Sequence, residues 1–205
     1  MTLHRRALVL ATATGLTLAL AGCDKGGAPG KPATKFHGVD ITGAEYARTL
    51  SLNDQDGKRR TLDDFKGKVT VIFFGYTQCP DVCPTTMAEL AQVKKALGAD
   101  GERVQGVFVT VDPERDKPEL LKAYMASFDP TFVGLSGTPE ETTAVAKEFK
   151  VFFAKVQGKS ETSYTMDHTA GSYVFDPKGK VRLFVRYGSG AEPLASDLKQ
   201  LLAGA

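Results

Sequence analysis

Reactive residues are scarce in this sequence and neither charge is in surplus, and each shortage narrows what the chain can be. Cysteine occurs only at positions 23, 79 and 83, too few for a disulfide-stapled scaffold. A chain of 205 residues with 42% hydrophobic content can bury a core that needs no staples. The C-x-x-C of ordinary thiol oxidoreductases is missing, and so is C-x-x-C-H, which excludes c-type haem attachment. A structural zinc site wants four ligands, and beyond the leader it would consume Cys79, Cys83, His37 and His168 together. Residues 1–22 carry Arg5, Arg6 and no acid, so removing them leaves 24 basic and 24 acidic residues and no electrostatic case for nucleic acid. The longest apolar run, about 16 residues from Ala7, falls short of the ~20 that span a bilayer. No internal repeat or second domain is visible.

What is present begins with a leader. Arg5-Arg6, the apolar run and Leu20-Ala21-Gly22-Cys23 read as a lipoprotein signal peptide over residues 1–22. The last four residues resemble the bacterial lipobox, whose cysteine is lipidated and becomes the mature N-terminus. Cys23 is therefore the expected lipidation site, and Asp24 beside it resembles an inner-membrane retention signal. Residues 23–36, with Gly26-Gly27, Pro29-Gly30 and Pro32, form a flexible tether without hydrophobic periodicity. The folded domain is expected over 37–205, with His37 a solvated residue at its edge.

Val69-Thr70-Val71-Ile72-Phe73-Phe74 reads as a buried strand, and Thr85 to Leu97 as a helix with Met87, Leu90, Ala91 and Leu97 on one face. Between them lies Gly75-Tyr76-Thr77-Gln78-Cys79-Pro80-Asp81-Val82-Cys83-Pro84. Further strands are expected at Val104 to Val111, Phe132 to Leu135, Val151 to Val156, Gly171 to Phe175 and Val181 to Arg186, and a hairpin around Asn53 to Gly57. Helices are expected from Pro118 to about Phe128, after Thr138 to about Phe149, and from Glu192 to Leu202. Strands and helices alternate and then close with a hairpin and a helix. The expectation is an α/β protein, thioredoxin-like, with a mixed central sheet flanked by helices.

Cys79 and Cys83 stand where a strand turns into a helix, and there unpaired N–H groups and the helix dipole favour a thiolate. A loop of three intervening residues constrains little unfolded chain, so a structural disulfide would be a poor staple. Neighbouring Pro, Asp and Thr argue against two thiols buried in apolar surroundings. A redox or metal role is left. Two thiolates and one imidazole suit copper, since thiolates hold Cu(I) and Cys/His ligation accommodates Cu(II). His168, expected in a polar loop just before the Gly171 strand, is the natural third ligand. Asp167 is the candidate for orienting its imidazole; Met166 is a soft donor in principle, but a methionine beside a strand is read first as core. Asp112 and Asp116 read first as a capped turn, with Asp112-Pro113 ending a strand and Asp116 starting a helix, and second as residues close to the copper site.

Three blocks in order, Gly75 to Pro84, Val111-Asp112-Pro113-Glu114-Arg115-Asp116 and Tyr164-Thr165-Met166-Asp167-His168, resemble the signature of the SCO/SenC family. The likeness covers about Leu50 to Leu202. It implies a thioredoxin-like, membrane-tied domain binding one copper, Cu(I) or Cu(II), through Cys79, Cys83 and His168. It also implies a copper metallochaperone rather than an enzyme, acting in assembly of the CuA centre of cytochrome c oxidase. The implied partners are the oxidase subunit carrying CuA and other copper chaperones or thiol reductants. The lipobox, in place of the transmembrane anchor of many relatives, implies lipid anchoring to a bacterial cell membrane facing the periplasm. The rival expectation is a thiol-disulfide oxidoreductase in which Cys79 and Cys83 cycle against an exported target. A peroxiredoxin-like peroxidase is disfavoured, because Tyr76 stands where such enzymes place Thr or Ser three residues before the reactive cysteine.

Overall fold

The computed structural model describes residues 35–160 and 163–205; the expected leader, Cys23 and most of the tether lie outside the described residues. In chain order the elements are Val39–Asp40 (β1), Ser51–Asp54 (β2), Arg59–Thr61 (β3), Val69–Gly75 (β4), Val82–Ala96 (α1), Val104–Thr110 (β5) and Pro118–Ala126 (α2). Then follow Val133–Ser136 (β6), Pro139–Glu148 (α3), Phe153–Gln157 (β7), Tyr164–His168 (β8), Gly171–Phe175 (β9), Val181–Arg186 (β10) and Ala191–Leu202 (α4).

Among the described residues eight strands form one sheet in the order β1-β10-β9-β4-β5-β6-β2-β3. The neighbours β4, β5 and β6 run parallel and all other pairs are antiparallel, which is the mixed sheet expected. Every residue of β4, β5 and β9 is buried, as continuous apolar runs demand of strands covered on both faces. Helix α1 packs on α4 and β5, α2 on β6, and α3 on β2. The core is strongly aromatic: Phe149 meets Phe74, Tyr173 and Phe175 with ring centroids 5.1, 5.3 and 6.2 Å away. Gly171 lets β9 lie against β10, since a Cβ there would sit 2.3 Å from the Phe184 ring.

Local chemistry fixes the element ends. Thr138 and Glu141 exchange capping bonds at the start of α3, with Pro139 in its first turn. Helix α1 starts at Val82, three residues earlier than expected. Pro84 is its third residue, where a missing N–H has no intrahelical partner to lose. The buried face of α1 is consequently Cys83, Met87, Leu90, Val93 and Lys94, with the second cysteine part of the helix stripe.

Two strands escaped the sequence reading, the two-residue β1, which pairs with β10, and β8. The segment carrying His168 is not a loop but strand β8, which pairs with β7 in a two-stranded ribbon separate from the main sheet. Its side chains alternate about a single buried residue, Met166, too weak a pattern to announce a strand.

Candidate metal centre

The end of β4 builds the site. Gly75 closes the strand and its carbonyl accepts the Val111 N–H at 2.8 Å, holding the cysteine loop to the end of β5. A tight turn follows, in which the Cys79 N–H donates to the Tyr76 carbonyl at 3.2 Å. Cys79 thus sits on the loop, partly buried, and Cys83 one turn later at the N-terminus of α1, fully buried. The Cys83 N–H points at the Cys79 sulfur, 3.5 Å away. The helix end therefore does face a thiol, but the thiol is that of Cys79.

His168 comes in from the ribbon. It ends β8 opposite Phe153, and the ribbon is closed beside it by the Thr169 N–H to the Phe152 carbonyl (2.9 Å) and the Phe152 N–H to the Thr169 hydroxyl (3.0 Å). The ring edges meet Phe73 and Tyr76 at centroid distances of 5.8 and 6.0 Å. Its Nδ1 lies 3.2 Å from the Thr169 carbonyl, which can only accept, so Nδ1 carries the proton and Nε2 presents a lone pair. Nε2 is 3.5 Å from the Cys83 sulfur. The Cys79 sulfur, the Cys83 sulfur and one nitrogen of His168 all lie within 4.8 Å of one another. A cleft of about 580 Å³ opens on this cluster between Cys79, Pro80, Phe152 and His168.

Two expectations about the thiols are corrected. Cys83 is not kept out of apolar surroundings by its polar neighbours: it is 0% exposed and belongs to the core. Burial also pushes its thiol up from the ordinary range, so in the metal-free protein desolvation outweighs the helix dipole and the proton stays on sulfur. For His168 burial works the other way and lowers the imidazole pKa, keeping the ring neutral and able to donate its lone pair.

The acids also differ from expectation. The backbone carbonyl of Thr169 takes the Nδ1 position foreseen for Asp167, whose side chain is exposed. Asp116 caps no helix; α2 has Lys117 as its N-cap, without a side-chain bond. Asp116 is instead 1% exposed and accepts the Thr77 N–H (3.0 Å), the Thr77 hydroxyl (2.6 Å) and the Thr110 hydroxyl (2.6 Å), tying the cysteine loop to β5. Asp112 receives the Tyr164 hydroxyl at 2.9 Å and pairs with Arg115. Tyr76, Thr77, Arg115 and Tyr164 went unassigned from sequence, although all four lie inside the three blocks that stood out.

The SCO1/SenC family model matches residues 40–203. Among curated proteins, the chain is 35% identical over 153 residues to an SCO2-like protein of Rickettsia felis, covering 74% of this chain and 75% of that one. Among solved structures it resembles Bradyrhizobium japonicum ScoI with copper bound, at 45% identity and TM-score 0.69, covering 75% of this chain and 98% of the other. It also resembles BsSco, a member of the Sco family of cytochrome c oxidase assembly proteins for which a disulfide switch was identified. There the identity is 26% and the TM-score 0.61, over 82% of this chain and 99% of that one. These neighbours carry the thioredoxin-like fold expected, and the extent of the match leaves one assignment: the chain belongs to the SCO1/SenC family.

Proposed function

We propose that the protein is a copper metallochaperone, holding one copper ion on Cys79, Cys83 and His168 and delivering it to the CuA site of cytochrome c oxidase. The observation that carries this reading is the donor set itself, two sulfurs and a lone-pair imidazole nitrogen within 4.8 Å. Soft thiolates with one imidazole suit Cu(I) and accept Cu(II), while among the described residues the cluster has no fourth protein ligand for structural zinc. Copper in the B. japonicum relative and the assembly role of BsSco support the same reading. Copper is cargo here: Cys79 and His168 line an open cleft, with Cys83 buried beside them, which leaves room for an incoming ligand from a partner. The lipobox ending at Cys23 supports a lipid tether to a periplasm-facing membrane; among the described residues no helix is long and apolar enough to cross one.

The test is a copper titration of the reduced protein, followed by sulfur-to-Cu(II) absorption and EPR, beside Cys79→Ser, Cys83→Ser and His168→Ala. One tightly held copper, lost or remodelled in each variant, is the expected result. No tight copper in a reduced, folded sample would overturn the reading. A second reading, thiol-disulfide oxidoreductase, is favoured by one observation: both thiols are free, one reachable and one buried, as an attacking and a resolving sulfur would be. It requires turnover that survives copper chelation and loss of His168.

A further inference from the structure

The His168 ribbon is not paired to the main sheet, so something else must set where it stands over the cysteine loop. The bonds between Phe152 and Thr169 close the ribbon on itself and do not do this. Arg115, in the turn after β5, reaches all the segments concerned. Its Nε donates to the Asp112 carboxylate. Its Nη1 donates to the side-chain oxygen of Gln78, next to Cys79, at 3.1 Å, and to the backbone carbonyl of Tyr164, the first residue of β8, at 2.9 Å. The guanidinium lies 3.6 Å from the centroid of the Tyr164 ring and 5.7 Å from that of Tyr76. Lys155 of β7 approaches the Tyr164 ring too, at 3.8 Å, and the Tyr164 hydroxyl donates to Asp112.

Arg115 is held there at a cost. Its Nη2 is buried with no hydrogen-bond partner, so one donor has left water without replacement. A lysine would satisfy the charge of Asp112 but not the planar fork that meets Gln78, Asp112 and Tyr164 at once.

We propose that Arg115 is a positioning residue of the metal centre, fixing the His168 ribbon against the Cys79–Cys83 loop so that imidazole and thiols act as one site. This rests on reading Cys79, Cys83 and His168 as ligands, and the experiment separates failure of the two claims. Arg115→Ala and the milder Arg115→Lys are compared with the native protein, His168→Ala and Arg115→Ala/His168→Ala, each checked for a cooperative unfolding transition.

With Cu(I), bound by the thiol pair, Arg115→Ala is expected to keep its affinity within about threefold. With Cu(II) it is expected to lose about tenfold or more, with the nitrogen hyperfine signal weakened toward the His168→Ala spectrum. The double variant is expected to bind Cu(II) no worse than His168→Ala alone, because two residues acting through one ligand are not additive. Arg115→Lys is expected to follow Arg115→Ala. The metal-free arm reads the imidazole nitrogen shifts of His168 and amide exchange along β8. Native protein is expected to show one fixed tautomer and protected amides, and both Arg115 variants averaged shifts and faster exchange. Averaged shifts in the variants, in a protein whose Cu(II) spectrum ignores His168→Ala, would uphold the positioning role and sink the ligand reading. Native-like shifts, exchange and Cu(II) spectrum in Arg115→Ala, or additive losses in the double variant, would overturn the proposal.

Discussion

Replacing Gly75 by alanine should damage the fold and the metal centre together, and the structure gives the scale. Gly75 is the last residue of β4 and the first of the cysteine block. A Cβ there would lie 2.8 Å from the Cys83 sulfur, 2.9 Å from the Phe73 ring and 3.0 Å from the Phe108 ring. Those neighbours are 0%, 1% and 0% exposed, so none can swing into solvent. Forcing one extra methyl group into such a core costs about 1–3 kcal/mol. With a urea m-value of about 2 kcal/mol/M, the midpoint of that range lowers the unfolding midpoint by about 1 M. The sulfur that must yield is the one 3.5 Å from His168 Nε2, so the sulfur-to-Cu(II) absorption should shift as well. Gly57→Ala is the control. Its backbone φ of +79° strains an alanine by about 1–2 kcal/mol, but the position faces open space and should leave the copper spectrum alone. A Gly75→Ala protein with the native urea midpoint and native copper spectrum would refute the packing argument.

Three further outcomes follow from other parts of the fold. Asp116→Ala strips three donors of their buried acceptor and should cost about 2–3 kcal/mol in urea unfolding, with Asp116→Asn losing less because one acceptor oxygen remains. His168 is held neutral by burial, so as pH falls through the ordinary histidine value of about 6.5 the unfolded state takes up a proton that the native state refuses. Metal-free stability should therefore drop between pH 7 and 5, and urea titrations of His168→Gln should lack that part of the slope. Asp197, 1% exposed on α4, accepts the N–H groups of His37 (2.9 Å) and Gly38 (2.8 Å). In Asp197→Ala limited proteolysis should cut near residue 37 well before the folded domain is digested; equal protection in both proteins would count against that anchor.

How much of this could be read from the sequence depended on whether a residue's surroundings were local. The central strands β4, β5, β9 and β10 were legible because continuous or alternating apolar runs declare burial by themselves. The start of α3 was legible because its cap, Thr138 to Glu141, is written within four residues. Strand β8 was not, because its partner β7 lies across a connection and only Met166 points into the core. Asp116 was misread for the same reason: beside a proline and a helix it looks like a cap, and only the folded chain brings Thr77, 39 residues away, to its carboxylate. Arg115 and Tyr164 sat inside blocks already singled out, but nothing in one dimension shows an arginine lying on a tyrosine 49 residues on.

The thiols carry the same lesson into chemistry. Position in the sequence predicts an activated thiolate at Cys83, since it opens a helix, and that inference uses the dipole alone. Folding adds a larger effect that no local pattern reveals, because the strand, Phe73 and Phe108 all press on the same turn and remove Cys83 from water. The two cysteines four residues apart thereby become unlike: Cys79 lies on the cleft and receives the helix N–H, while Cys83 is dry and keeps its proton against a neutral imidazole. On the proposed copper reading, a soft cation entering by the cleft would meet the accessible sulfur first and would have to displace a proton to engage the second. Its third contact, His168, belongs to a ribbon separate from the main sheet, so the donor set is closed by the meeting of two substructures rather than by one rigid loop. On the copper-carrier reading proposed above, a donor set closed in that way would be opened again by a movement of the ribbon, as a site that passes its metal on requires.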